Sequence, residues 1–155
     1  MAHERQLNRP VRCAVVGYGP AHNFGRQHGR WTAASPGLEW VAVCDCDPAR
    51  LAAATQEFPH LETYTDVGEL LKTDIDLVSI VTPHYTHAPL ALQAIAAGKH
   101  VVVDKAMCLT VAEATAMIDA ADAAGVMLAV FHARRHDGNF RAIREVVAQG
   151  TIGDV

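Results

Sequence analysis

Residues 11–28 read VRCAVVGYGPAHNFGRQH, an apolar run that breaks at Gly17 into a glycine-bearing turn and then opens a helical stretch. A second apolar run follows and ends on an acid, Asp45. Strand, turn, helix, strand and acid in that order suit a nucleotide pyrophosphate. Gly17 permits the tight turn, Gly19 lets the backbone approach the phosphates, and the N–H groups that open the helix face their charge. An acid at the end of the next strand, about 20 residues past the glycines, is where a ribose 2′-hydroxyl is held. The glycine count is irregular. Strict G-x-G-x-x-G spacing puts the third glycine at His22, and Gly25 comes three residues late. The turn is therefore read as carrying an insertion at 20–23 that bulges over the pyrophosphate, with Gly25 beginning the helix. An ordinary strand–helix turn that binds nothing is the alternative reading.

The 155 residues suit one domain, and with 50% of them hydrophobic they suffice for a core. The net charge is −4 with no basic run, which argues against nucleic acid. No apolar stretch approaches the roughly 18–20 residues of a membrane span. The first ten residues, MAHERQLNRP, are polar and are read as a flexible leader of a cytoplasmic chain. The four cysteines, Cys13, Cys44, Cys46 and Cys108, lack C-x-x-C spacing and predict neither a disulfide framework nor a zinc site.

Apolar and helical stretches alternate along the chain. Strands are predicted near 11–16, 39–44, 61–64, 77–82, 100–104 and 126–131. Helices are predicted near 25–34, 48–57, 66–72, 86–97, 110–124 and 139–149. Continuous rather than alternating hydrophobicity fits strands covered on both faces. Asp47-Pro48 places a capping acid before an N1 proline, Thr110 with Glu113 forms a capping box, and Gly98 and Gly125 stop helices. The alanines of 91–97 and 112–124 are read as close helix–sheet packing. This regularity predicts an α/β fold with a doubly wound parallel sheet (Rossmann), three layers α/β/α, and a strand order near 3-2-1-4-5-6. Ligands in such sheets bind beyond the carboxyl ends of the strands, at 17–25, 45–48, 82–87, 104–108 and 132–138.

These loops carry a resemblance. GYG…GRQH at 17–28, VAVCDCDPAR at 41–50, YTDVGELL at 64–71, the stretch from DIDLVSIVTPHYTH to VVVDKAM at 74–107, and HARRHDGNF…GTIGDV at 132–155 together resemble the nucleotide-binding half of the Gfo/Idh/MocA oxidoreductases. The resemblance implies an enzyme moving hydride between a nicotinamide and a sugar, inositol or related polyol. It also implies a second substrate domain, missing here, through which homo-oligomers form. On this reading 1–10 is the leader, 11–135 the dinucleotide-binding domain and 136–155 the start of the truncated substrate domain. The chain is then an excised part or a natural short form, inactive alone. It departs from the family at two loops: Asp104-Lys105-Ala106 stands where Glu-Lys-Pro is usual, and Thr82-Pro83-His84 where Thr-Pro-Asn is usual.

Lys105, one of three lysines, is the candidate catalytic residue. An ammonium at a strand's carboxyl end donates to a substrate hydroxyl and stabilises a developing alkoxide, and burial would lower its pKa. A lysine paired with Asp104, or reaching water, is the plain alternative. Asp45 would accept from the adenosine ribose and repel a 2′-phosphate, so NAD is expected over NADP. Arg50 either lies over the adenine or is solvated. Thr82 and Pro83 are expected along the nicotinamide ribose, with His84 facing the nicotinamide or substrate pocket and Asp104 beside the cofactor. Gly17, Gly19 and Gly25 complete the cofactor set. His84 and His87 form H-x-x-H, but a zinc site needs a third ligand with suitable spacing, so no metal is expected. His87 is expected to start a helix and bind locally, and His28 to be a packing histidine. Arg134 and Arg135 are read either as cofactor, substrate or interface contacts or as a solvated turn. The rival from another class is a non-catalytic dinucleotide-binding sensor or interaction module. No Tyr-x-x-x-Lys of a short-chain dehydrogenase occurs.

Overall fold

Each apolar run becomes a strand of one parallel sheet in the computed structural model, which describes residues 9–19 and 24–154. The insertion at 20–23 and all but the last two residues of the proposed leader lie outside the described residues. The strands are β1 (Val11–Val16), β2 (Leu38–Cys44), β3 (Glu62–Tyr64), β4 (Leu77–Ile80), β5 (His100–Asp104) and β6 (Leu128–Phe131). Their spatial order is β3-β2-β1-β4-β5-β6, and every pairing is parallel. The helices are α1 (Phe24–Ala34), α2 (Pro48–Glu57), α3 (Val67–Leu71), α4 (His87–Ala96), α5 (Val111–Ala124) and α6 (Gly138–Ala148). The order reverses between β1 and β4, which is the crevice where α/β sheets of this kind take ligands.

Two cores lie on opposite faces of the sheet, so the fold has three layers. One gathers Ala14, Ala42, Val78, Ile80, Val101 and Val103 under α3, α4 and α5, with Ala91, Ile95 and Met117 fully buried. The other gathers Val15, Val43 and Trp40 with Leu51 and Ala54 of α2. Here Gly29 matters: a Cβ on it would run into the Trp40 indole, so its bare backbone lets α1 settle onto β2. The caps form as the sequence reads. Asp47 accepts from the Ala49 N–H, Thr110 and Glu113 form the full capping box, and Gly125 closes α5 at φ 65°.

Two expectations change, and α6 adds a finding of its own. Alanine packing holds for α4, whose Ala88, Ala91 and Ala94 are buried, but in α5 only Met117 and Ala121 are, because α5 packs mainly on α4 and little on the sheet. The two edge strands are not covered on both faces: β6 is half-buried throughout, and β3 is largely exposed. α6 is amphipathic yet exposed along its whole length, including Phe140, Ile143, Val146 and Val147.

Candidate functional site

The carboxyl ends of the central strands open on one groove of about 1220 Å³. Gly17 and Gly19 line it from the turn after β1, Gly25 from α1 and Arg50 from α2. Thr82, Pro83 and His84 enter from the segment after β4, and Asp104 and Lys105 from the end of β5. Residues some 88 positions apart in the chain thus face one space, which is what the strand-end rule requires.

Asp45 stands behind the groove as the brace of the glycine turn. It is 8% exposed, and its Oδ2 accepts from the Tyr18 N–H at 2.9 Å and the Gly19 N–H at 3.2 Å. Its Oδ1 accepts from the Asp47 N–H at 3.0 Å. The Gly17 N–H donates to the Cys44 carbonyl at 2.8 Å, so the turn is tied to the end of β2 by both backbone and carboxylate. Around the same turn Glu57 takes a paired contact from the Arg26 guanidinium and a bond from Tyr18 Oη, which holds its carboxyl below its ordinary range.

The glycines fit a dinucleotide cradle. Gly17 sits at φ 92°, and a Cβ there would come within 2.7 Å of the Val81 carbonyl oxygen. Gly25, the second residue of α1, has its missing Cβ aimed onto the Gly17 carbonyl, so the helix begins hard against the turn. That is the close helix–strand approach served by the third glycine of such motifs, here reached three residues late. The opening N–H groups of α1 lack intrahelical partners by helix geometry and lie at this end of the groove. Arg50 pairs through Nε with Asp47 at 3.1 Å and keeps one face towards Gly19.

Lys105 is exposed, one residue past the end of β5, so burial does not act on its ammonium. Among the described residues no ion pair joins it to Asp104. Its loop is held instead by two histidines. His84 Nε2 lies 3.1 Å from the Lys105 carbonyl; His87 Nδ1 lies 2.8 Å from the Ala106 carbonyl, with its Nε2 2.8 Å from that of Thr82. His87 is fully buried. The H-x-x-H pair therefore faces backbone carbonyls, and among the described residues no group of three metal-ligating side chains forms.

Sequence reasoning missed the aromatic end of the groove. Phe24, Phe131 and Phe140 line it with Arg134 and Arg135, and Arg134 also donates to Asp137 at 2.8 Å. His28 packs as expected, 4% exposed with Nδ1 2.9 Å from Ser79 Oγ, but among the described residues its Nε2 has no partner. The one signal for it was its place a single helical turn after Gly25, on the face that meets the sheet.

Comparison with known proteins agrees with this geometry. A family model described as an oxidoreductase family with an NAD-binding Rossmann fold matches residues 11–132. D-apiose dehydrogenase of Paraburkholderia graminis is 35% identical over 141 residues, 90% of this chain and 37% of that protein. The scyllo-inositol 2-dehydrogenase (NADP(+)) IolW of Bacillus subtilis is 35% identical over 111 residues, 69% of this chain and 30% of that protein. The solved scyllo-inositol dehydrogenase of Lactobacillus casei, with bound NAD(H) and scyllo-inositol, superposes with a TM-score of 0.83 at 27% identity, covering 94% of this chain and 43% of that one. The chain thus spans well under half the length of these relatives.

Proposed function

The chain belongs to the Gfo/Idh/MocA oxidoreductase family, and from that premise we propose that it is the dinucleotide-binding half of a dehydrogenase acting on a sugar, inositol or related polyol. When bound, the nicotinamide supplies or accepts the hydride. The observation that carries the reading is the convergence of the glycine turn, Thr82-Pro83-His84 and Asp104-Lys105 on one groove.

In this reading Gly17, Gly19 and Gly25 admit the pyrophosphate, and Arg50 lies at the adenine end. Asp45 keeps one Oδ1 lone pair beyond its three backbone bonds, and its charge at the ribose end favours NAD over NADP. Thr82 and Pro83 follow the nicotinamide ribose. Lys105, exposed at the rim, donates to the substrate oxygen and stabilises its developing charge. Residues 11–135 form the dinucleotide domain and 136–155 begin the substrate domain. The exposed apolar face of α6 fits such a continuation, through which homo-oligomers would also form. The free thiols suit the reducing cytoplasm.

The test is calorimetric titration of the 155-residue chain with NAD and with NADP. Saturable binding, tighter for NAD, is expected; no saturable binding of either at about millimolar concentration removes the reading. In the complete enzyme, Lys105→Ala should lower kcat by roughly 100-fold or more while leaving dinucleotide affinity within about twofold. Unchanged turnover would take the catalytic role from Lys105.

A further inference from the structure

Two buried polar atoms lack partners among the described residues, His28 Nε2 and Asp104 Oδ1, and the sheet register brings them together. Ser79 on β4 pairs with Val102 on β5, and Asp104 on β5 pairs with Phe131 on β6. Paired residues of parallel strands share a face, as do residues two apart along one strand. Ser79, Val102, Asp104 and Phe131 therefore all project towards α1. His28 touches both flanks of this patch: its Nδ1 is 2.9 Å from Ser79 Oγ, and its ring centroid is 4.3 Å from that of Phe131. β4 and β6 are two strand spacings apart, roughly 10 Å, so the imidazole must lie across β5 beside Asp104.

We propose that His28 is a positioning residue for Asp104, its Nε2–H and the carboxylate Oδ1 sharing one buried water. Ser79, His28, the water and Asp104 then form one chain running from the middle of the sheet to the groove. An isolated water needs at least two polar partners to persist, and these two supply a donor and an acceptor. Both atoms are then satisfied, where either alone would be a buried polar group without a partner.

The tautomer of the ring sets the direction of the chain. Burial lowers the His28 pKa from its ordinary 6.5, and Asp104 is the one charged group that opposes the shift. A neutral ring carries a single N–H. If Nδ1 accepts from the Ser79 hydroxyl, that N–H sits on Nε2 and points at the carboxylate. The chemical consequence rests on the proposed role of Lys105. A carboxylate engaged on the sheet face does not pair with the neighbouring ammonium, which stays available to the substrate oxygen.

The experiment is long-range 1H–15N spectroscopy of the chain labelled at histidine. At pH 7.5 His28 is expected as the Nε2–H tautomer, with Nδ1 in the acceptor range. Asp104→Asn removes the charge that favours the imidazolium, so the His28 midpoint should fall by about 0.5 unit or more. An Nδ1–H tautomer in the unmutated chain, or equal midpoints in both chains, overturns the proposal. If Asp104→Asn does not fold, the tautomer of the unmutated chain decides alone. NAD titrated into the same labelled sample reports on dinucleotide binding separately, so the two readings fail independently.

Discussion

Replacing Asp45 by Asn tests whether one carboxylate shapes the glycine turn. Asp45 receives three backbone N–H groups, of which the Tyr18 bond is fully buried and the other two partly so. An amide keeps a single acceptor oxygen. In the better flip, that oxygen takes the Tyr18 and Gly19 donors without charge assistance, and the NH2 group confronts the Asp47 N–H. The lost charge assistance and the donor facing a donor together cost about 2–4 kcal/mol. With a urea m-value of about 2 kcal/mol/M for a chain of this size, the unfolding midpoint should fall by about 1–2 M. The buried Trp40 indole supplies the fluorescence probe. In the proposed function the same change should weaken NAD roughly tenfold and narrow its advantage over NADP. A midpoint and an NAD affinity both equal to those of the unmutated chain would refute the account of this turn.

Gly25→Ala should lower Tm by roughly 6–10 °C and abolish saturable dinucleotide binding, since its Cβ falls on the Gly17 carbonyl; calorimetry with and without NAD checks both. The pKa of His28 is depressed in the folded chain, so the unfolded state binds its proton first as pH falls. Its contribution is therefore fully present above about pH 6.5 and declines on acidification below that, and His28→Gln should flatten this part of a plot of stability against pH. Burial pushes Cys13 up to about 11 and Cys44 up to about 12. At neutral pH a chromogenic thiol reagent should react promptly with exposed Cys46 and half-buried Cys108, and with the other two only after denaturant is added.

Strand positions were legible because period and punctuation agreed. Uninterrupted apolar runs such as Cys13–Val16 and Val41–Cys44 need cover from both sides, and Asp47, Thr110 and Gly125 mark helix ends through local hydrogen bonds that need no tertiary context. The irregular glycine spacing did not obscure the cradle, since what Gly25 must satisfy is nearness to the Gly17 carbonyl rather than a residue count. The exposure of Lys105 was legible only as one of two alternatives, although the strand end at Asp104 was placed correctly. Nor was the brace formed by Asp45, because Tyr18 and Gly19 lie 27 and 26 residues away from it. His87 reads as one half of a metal motif until the two loops beside it are in place; then both its nitrogens are seen to be occupied by carbonyls.

The contact between Gly29 and Trp40 has a consequence for the groove twelve residues upstream of Gly29. The indole under α1 acts as a fulcrum: the backbone at Gly29 rests on it, and the first turn at Gly25 is the far arm. The depth available beneath the helix opening is thus gauged by a side chain of β2 that never faces the groove. A Cβ at 29 would press on the indole, and a shift of α1 that relieved the clash would carry Gly25 with it at the mouth of the cleft. Cleft height in this fold is a dimension that can be adjusted from the far side of the helix.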